Sequence, residues 1–306
     1  MQGQPVRREF ERDGVRLCWF EWGQRGAPQV LLVHATGFHA RCWDQVVRAL
    51  PEDRHVLAID MRGHGRSDKT PPYNWLTFGA DLLAFVAAQD IRDAVGVGHS
   101  MGGHCVAHVA AHAPEAFSRL LLVDPVIMSP DAYAAARHQT FTSPEAHPVA
   151  RRRAHWSTPA EMAARFADRL PFSRWQPAVL DDYCQHGVLP DPAGGYTLAC
   201  PGVVEASIYM GSARIEIHAE VARVQVPVTV LRAPPRAPGD TNVMDFSKSP
   251  TWPELARQFP RGRDVFLPDH THFIPMEDPV RVARYISDPD WGEAQPAPDN
   301  PAGQVG

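Results

Sequence analysis

The sequence predicts an α/β protein: a mostly parallel, doubly wound sheet with a helical segment inserted between its two halves. Three observations carry that expectation. A continuous apolar run at 30–33 and strand-like runs at 55–60, 95–98 and 119–123 have the length and composition of strands in a buried parallel sheet. Segments with helical spacing alternate with them, and such alternation implies right-handed crossovers and a parallel sheet. From 126 to 220 the rhythm breaks into helical and loop-like sequence before strand-like runs resume at 226–231 and 263–267.

Each element has its own signal. Residues 15–22 alternate with the period of a strand, placing Val15, Leu17 and Trp19 on one face. Residues 42–50 carry Trp43, Val46, Val47 and Leu50 at helical spacing and stop at Pro51. Residues 76–89 form a helix with Leu82, Leu83, Phe85 and Val86 on its apolar side. Pro114 stops the helix that follows residues 95–100, and Asp278-Pro279 opens the last helix as N-cap and first residue. The expected organisation is a core of residues 12–125 and 221–288, a helical cap of residues 126–220, and a disordered tail of residues 289–306.

Composition excludes several classes. Charged residues make up 21% and apolar ones 44%, as in ordinary globular proteins, and the net charge is −5. The one basic run, Arg151-Arg152-Arg153 beside Trp156, reads as a solvated helix face and argues against nucleic-acid binding. The five cysteines, Cys18, Cys42, Cys105, Cys184 and Cys200, show no C-x-x-C spacing, which points to neither a zinc site nor a disulfide framework. Residues 1–13 are polar and charged, and no apolar run is long enough to cross a bilayer. The expectation is a cytoplasmic protein with reduced thiols and no membrane or nucleic-acid partner.

The candidate chemistry sits at strand ends. Gly98-His99-Ser100-Met101-Gly102 follows a short apolar strand and opens a helix. A serine on so sharp a turn exposes its Oγ, and glycines two residues before and after relieve the crowding around it. An ordinary serine in a glycine-rich turn is the competing reading. His34, Asp60 and Asp124 also follow strand runs directly, so they share one edge of the sheet with Ser100. His104, His108 and His112 lie four apart on the helix after Ser100; with no carboxylate partner in the local sequence they read as packing and not as a metal face.

Four segments in order make the chain resemble the α/β-hydrolase family over roughly residues 12–288: 34–37 (His-Ala-Thr-Gly), 60–68 (Asp-Met-Arg-Gly-His-Gly-Arg-Ser-Asp), 98–103 (Gly-His-Ser-Met-Gly-Gly) and 269–279 (Asp-His-Thr-His-Phe-Ile-Pro-Met-Glu-Asp-Pro). The resemblance implies a cofactor-free and metal-free serine hydrolase with Ser100 as nucleophile and His272 as general base. It places the oxyanion hole at the backbone N–H groups of Thr36 and Met101. This chain departs from the family by carrying Ala35 where glycine is common, a residue that tolerates positive φ poorly. It departs again in the acid, since no carboxylate occupies the usual position soon after the strand ending near Arg232. Asp124 is the first candidate, with Asp240 and Asp245 as alternatives. His270 reads as peripheral to the site.

The substrate implied is a small, partly apolar carboxylic ester or lactone. Amide or carbon–carbon bond hydrolysis and perhydrolysis use the same residues. A small-molecule binding protein that kept the fold without turnover is the reading from a different class, motivated by Ala35 and the displaced acid. Dehalogenase and epoxide hydrolase chemistry in this fold needs a carboxylate where Ser100 stands.

Overall fold

The computed structural model describes residues 3–136, 141–237 and 245–292. Its chain opens with β1 (Val6–Arg12) and β2 (Val15–Trp22), joined by a tight turn in which Asp13 and Gly14 both take positive φ. The sequence reading did not anticipate β1. Its Val-Arg-Arg-Glu-Phe-Glu-Arg composition suits an edge strand, where charge discourages pairing with another chain, and the Asp-Gly pair was the available signal.

Next come β3 (Gln29–Val33), α1 (Asp44–Ala49), β4 (His55–Ile59), α2 (Trp75–Ala88), β5 (Ala94–His99), α3 (Met101–His112) and β6 (Phe117–Val123). An inserted segment then holds α4 (Pro130–Ala136), β7 (His155–Trp156), α5 (Pro159–Phe166), α6 (Pro177–His186), β8 (Val188–Pro190), β9 (Tyr196–Leu198), α7 (Gly202–Ser212) and α8 (His218–Val221). The chain returns through β10 (Val228–Arg232), β11 (Gly262–Phe266), α9 (Ile274–Glu277) and α10 (Pro279–Ser287).

Eight strands pair in the order β1-β2-β4-β3-β5-β6-β10-β11. The pairs β1–β2 and β2–β4 are antiparallel, and the five others are parallel. Alternate residues of β3 enter opposite layers: Leu31 and Val33 pack with α2 and α3, whereas Val30 and Leu32 pack with α1 and α10. β2 is also buried on both faces, because Cys18, Phe20 and Trp22 enter the second layer opposite Val15, Leu17 and Trp19. Side-chain caps fix helix starts: the Asn74 side chain accepts the Thr77 N–H at 2.9 Å, and Asp278 accepts that of Arg281 at 2.9 Å.

The inserted segment differs from the helical expectation by containing a three-stranded antiparallel sheet, β7-β9-β8. Its core is aromatic, with Trp156, Trp175 and Tyr183 packed against Cys42, Phe273 and Met276 of the larger layer system. The arginine run is not a uniformly solvated face. Arg153 stacks over the Trp156 ring at 4.0 Å, and Arg152 turns inward to Glu205 and the Tyr183 hydroxyl. At the C-terminal end, Trp291 packs edge-on against Tyr285 at 4.8 Å, and its carbonyl accepts from Arg263 at 3.1 Å. Order therefore extends beyond residue 288, and residues 293–306 of the expected tail lie outside the described residues. All five cysteines are buried and unbridged. Among the described residues, no helix is long and apolar enough to cross a membrane.

Candidate active site

The carboxyl edge of the parallel strands gathers the polar residues. Ser100 terminates β5 with φ 57° and ψ −117°, a conformation that costs a non-glycine residue about 1–3 kcal/mol. The surroundings enforce it. The Ser100 N–H donates to the Val123 carbonyl at 3.1 Å, and its own carbonyl accepts from Gly103 and Val126 at 3.1 Å each. A Cβ on Gly98 would strike the Gly102 backbone, and one on Gly102 would strike the Val33 carbonyl. The two glycines of the motif are required by close backbone approach.

His272 follows β11 in the loop before α9 and is 5% exposed; Ser100 is 6% exposed. The Ser100 hydroxyl donates to His272 Nε2 at 3.0 Å, and His272 Nδ1–H donates to Asp124 Oδ2 at 2.6 Å. Asp124 directly follows β6, is fully buried and has φ 45°. Its second oxygen, Oδ1, accepts from the Ala233 N–H at 3.0 Å and the Ser249 hydroxyl at 2.6 Å. Thr251 supports the same corner, its N–H donating to Ser249 Oγ at 3.0 Å and its hydroxyl to the Pro125 carbonyl at 2.7 Å. The fixed, desolvated carboxylate thus orients one imidazole tautomer.

Of the other acids weighed, Asp245 caps the Ser247 N–H at 2.9 Å, and that bonding holds its carboxyl below the usual range. Its partners do not include His272. Asp240 lies outside the described residues. His270 stands 3.8 Å from Asp278 and does not join the Ser100 array.

The loop after β3 carries Thr36, a buried residue whose Oγ1 has no hydrogen-bond partner among the described residues. Among the described residues, the backbone N–H groups of Thr36 and Met101 also have no acceptor. Ala35 does not need positive φ; Gly37 takes it instead, at 81°. The loop is anchored from below. His34 Nε2 accepts the Met61 N–H at 2.9 Å, and His64 Nε2 accepts the Gly37 N–H at 3.0 Å. Burial drives both imidazoles toward the neutral form that such acceptance requires. Asp60 fixes the next turn by accepting from the Ala40 N–H at 2.7 Å and the Arg66 N–H at 2.8 Å.

Sequence reasoning missed several residues around the array. His99 Nε2–H donates to the His272 carbonyl at 2.8 Å and ties the histidine loop to β5. The Phe246 ring stacks beside His272 at 6.4 Å, and Phe38 links His99, Tyr183 and Phe273 with centroid separations of 5.3–6.2 Å. Glu205 of α7 sits against Gly37, where an added Cβ would come within 2.5 Å of its carboxylate. His99 had a signal, its place inside the motif; the others depend on contacts between distant segments.

Residues 30–285 match the alpha/beta hydrolase family. The chain is 38% identical over 117 residues to a non-heme chloroperoxidase of Streptomyces lividans, covering 37% of this chain and 42% of that one. It is 29% identical over 273 residues to the lipase LipV of Mycobacterium tuberculosis, covering 87% and 94% of the two chains. Among solved structures, E-2-(acetamidomethylene)succinate hydrolase superposes with a TM-score of 0.72 at 18% identity, over 92% of this chain and 98% of that one. A match across most of the chain, an eight-stranded sheet of this order and a serine at the turn between β5 and α3 agree: this protein belongs to the alpha/beta hydrolase family.

Proposed function

We propose that the protein hydrolyses a carboxylic ester or lactone through an acyl-enzyme on Ser100. The observation that carries this reading is the pair of hydrogen bonds through His272, 3.0 Å to Ser100 Oγ and 2.6 Å to Asp124 Oδ2. His272 takes the hydroxyl proton as Ser100 Oγ attacks the carbonyl carbon, and Asp124 stabilises the imidazolium that forms. The oxyanion is received by the N–H groups of Met101 and Thr36, each of which is worth about 3–4 kcal/mol in such a role. His272 then protonates the leaving alkoxide, and the acyl–oxygen bond breaks. Water, deprotonated by His272, releases the acid and restores Ser100.

The inserted segment acts as a cap in this reading. Phe246 and Phe273 pack beside His272, and Phe38, Trp175 and Tyr183 continue that aromatic cluster, which favours a substrate with an apolar acyl or alcohol part. Activated esters of graded chain length test the proposal together with a serine-directed fluorophosphonate. The expected result is turnover, labelling at Ser100, and loss of roughly 10⁶-fold in kcat on Ser100→Ala. Esterase activity retained by Ser100→Ala overturns it, and folded protein that fails to label points to a binding protein instead.

A further inference from the structure

The histidine pair on α3 acquires in three dimensions the carboxylate that its local sequence lacks. His108 and His112, one turn apart near the end of α3, meet Glu220 of α8, and one ligand atom of each lies within 4.8 Å of the other two. His108 Nδ1 faces Glu220 Oε1 at 3.9 Å, and the two imidazole centroids are 4.3 Å apart. His104, the third histidine of the series, is turned away: its Nδ1–H donates to the Val126 carbonyl at 3.3 Å, and its ring packs on Trp75.

We propose that His108, His112 and Glu220 form a binding site for a divalent transition-metal ion of borderline softness, with zinc the best match. Two imidazoles and one carboxylate are a recurrent donor set for that class of ion, with a fourth position left to water. The His112 Nδ1–H donates to the His108 carbonyl at 2.8 Å, which fixes the tautomer and leaves its Nε2 lone pair uncommitted. A backbone carbonyl in this role is the usual outer partner of a metal-bound histidine. The Cδ2 edge of the His108 ring lies against Gly79 of α2, and Nδ1 is the nitrogen turned toward Glu220.

Tetrahedral zinc places its ligand atoms about 3.4 Å apart, so side-chain rotations of roughly 1 Å complete the site. His112 is exposed and the other two are partly so, which leaves solvent a route to the ion. Arg223 is the opposing charge in this corner, and Glu220 supplies the compensating carboxylate.

The site is separate from Ser100. His108 lies eight residues further along the same helix, about 12 Å at 1.5 Å per residue. It joins the helix that follows Ser100 to α8, through which the inserted segment returns to β10. A bound ion would therefore clip the return of that segment onto the sheet.

Calorimetric titration of chelator-treated protein with zinc chloride is the test, paired with thermal unfolding. One zinc per chain is expected, with a midpoint raised by about 5 °C at a hundredfold excess over the dissociation constant. His112→Ala, at an exposed position, and Glu220→Gln, at a partly exposed one, should each weaken binding at least tenfold, whereas Ser100→Ala should bind zinc as the parent does. Asp44, Asp182 and His186 form the other such cluster among the described residues, with Asp44 held by Arg41 and Asp182 by Gln45. No uptake of zinc overturns the proposal. So does uptake that survives His112→Ala and Glu220→Gln but is lost with Asp182→Asn.

Discussion

The Ser100 array and the inserted segment are held in place by different physics. Ser100 and Asp124 follow adjacent parallel strands directly, and backbone hydrogen bonds set both: Ser100 N–H to Val123 at 3.1 Å, and Asp124 N–H to Leu231 at 2.7 Å. The inserted segment is fixed by rings, with Phe172, Trp175 and Tyr183 packed at centroid separations of 4.8–5.8 Å. Backbone ladders position atoms to tenths of an ångström, whereas aromatic packing tolerates substitution of shape. In the proposed function, Ser100 and Asp124 sit on the first kind of support, and the rings that would meet a substrate sit on the second.

The strongest way to break the comparison is at the acid. Asp124→Asn keeps the volume and a hydrogen-bond acceptor but removes the charge that stabilises the imidazolium in the proposed mechanism. A loss of about 10⁴-fold in kcat is expected, with thermal unfolding little changed. Asp245→Asn should leave kcat as it is, because its carboxylate accepts from the Ser247 N–H and its main-chain carbonyl from Arg236. Equal losses in the two variants would place the acid function elsewhere.

The seam between the two regions gives the next effect. Gly37 needs positive φ and lies against the Glu205 carboxylate of α7, so Gly37→Ala strains the loop and displaces it at once. A shift of even 1 Å in an oxyanion donor lowers kcat by roughly 10²-fold. Steady-state kinetics should show the loss in kcat with KM nearly constant; a pure KM effect would mean that the loop only contacts the bound substrate.

The smallest effect lies at a second seam, where Gln45 of α1 donates to Asp182 of α6 at 2.5 Å. Burial pushes the Asp182 carboxyl up from 3.8 to about 6, with Asp44 adding to the rise and Gln45, Arg48 and Arg41 opposing it. Between those values the folded chain keeps a proton that the unfolded chain has released. Its contribution is complete below about pH 4 and is lost as pH rises through about 6. Asp182→Asn, which stays neutral, should therefore stabilise the protein at pH 8 by about 1 kcal/mol, after allowing for partial exposure, and by nothing at pH 4. Denaturant unfolding at the two pH values measures the difference, and an equal change at both would remove the carboxyl from the account.

Much of this was readable from local sequence. The parallel sheet followed from apolar runs of strand length, because a strand covered on both faces has no use for alternation. Ser100 followed from the glycines that its turn demands, and His272 from the resemblance over residues 269–279. Edge strand β1 escaped notice because its charges suit solvent and its one large apolar side chain, Phe10, packs on Phe85 from another element. Arg152 looked like part of a solvated run, since nothing within it announces a partner 53 residues away.

What the sequence by itself determined is the set of residues whose requirements are local: strand burial, the glycines around Ser100, and the caps at Asn74 and Asp278. Only the tertiary structure decided which carboxylate reaches His272, since Asp124 and His272 are 148 residues apart and their 2.6 Å contact depends on where β6 and β11 end. The same holds for Glu220 beside His108 and for Glu205 beneath Gly37. A hydrogen bond or a coordination shell is set by distances of a few ångströms, and spacing along a chain does not encode those once the chain has left one helix or strand.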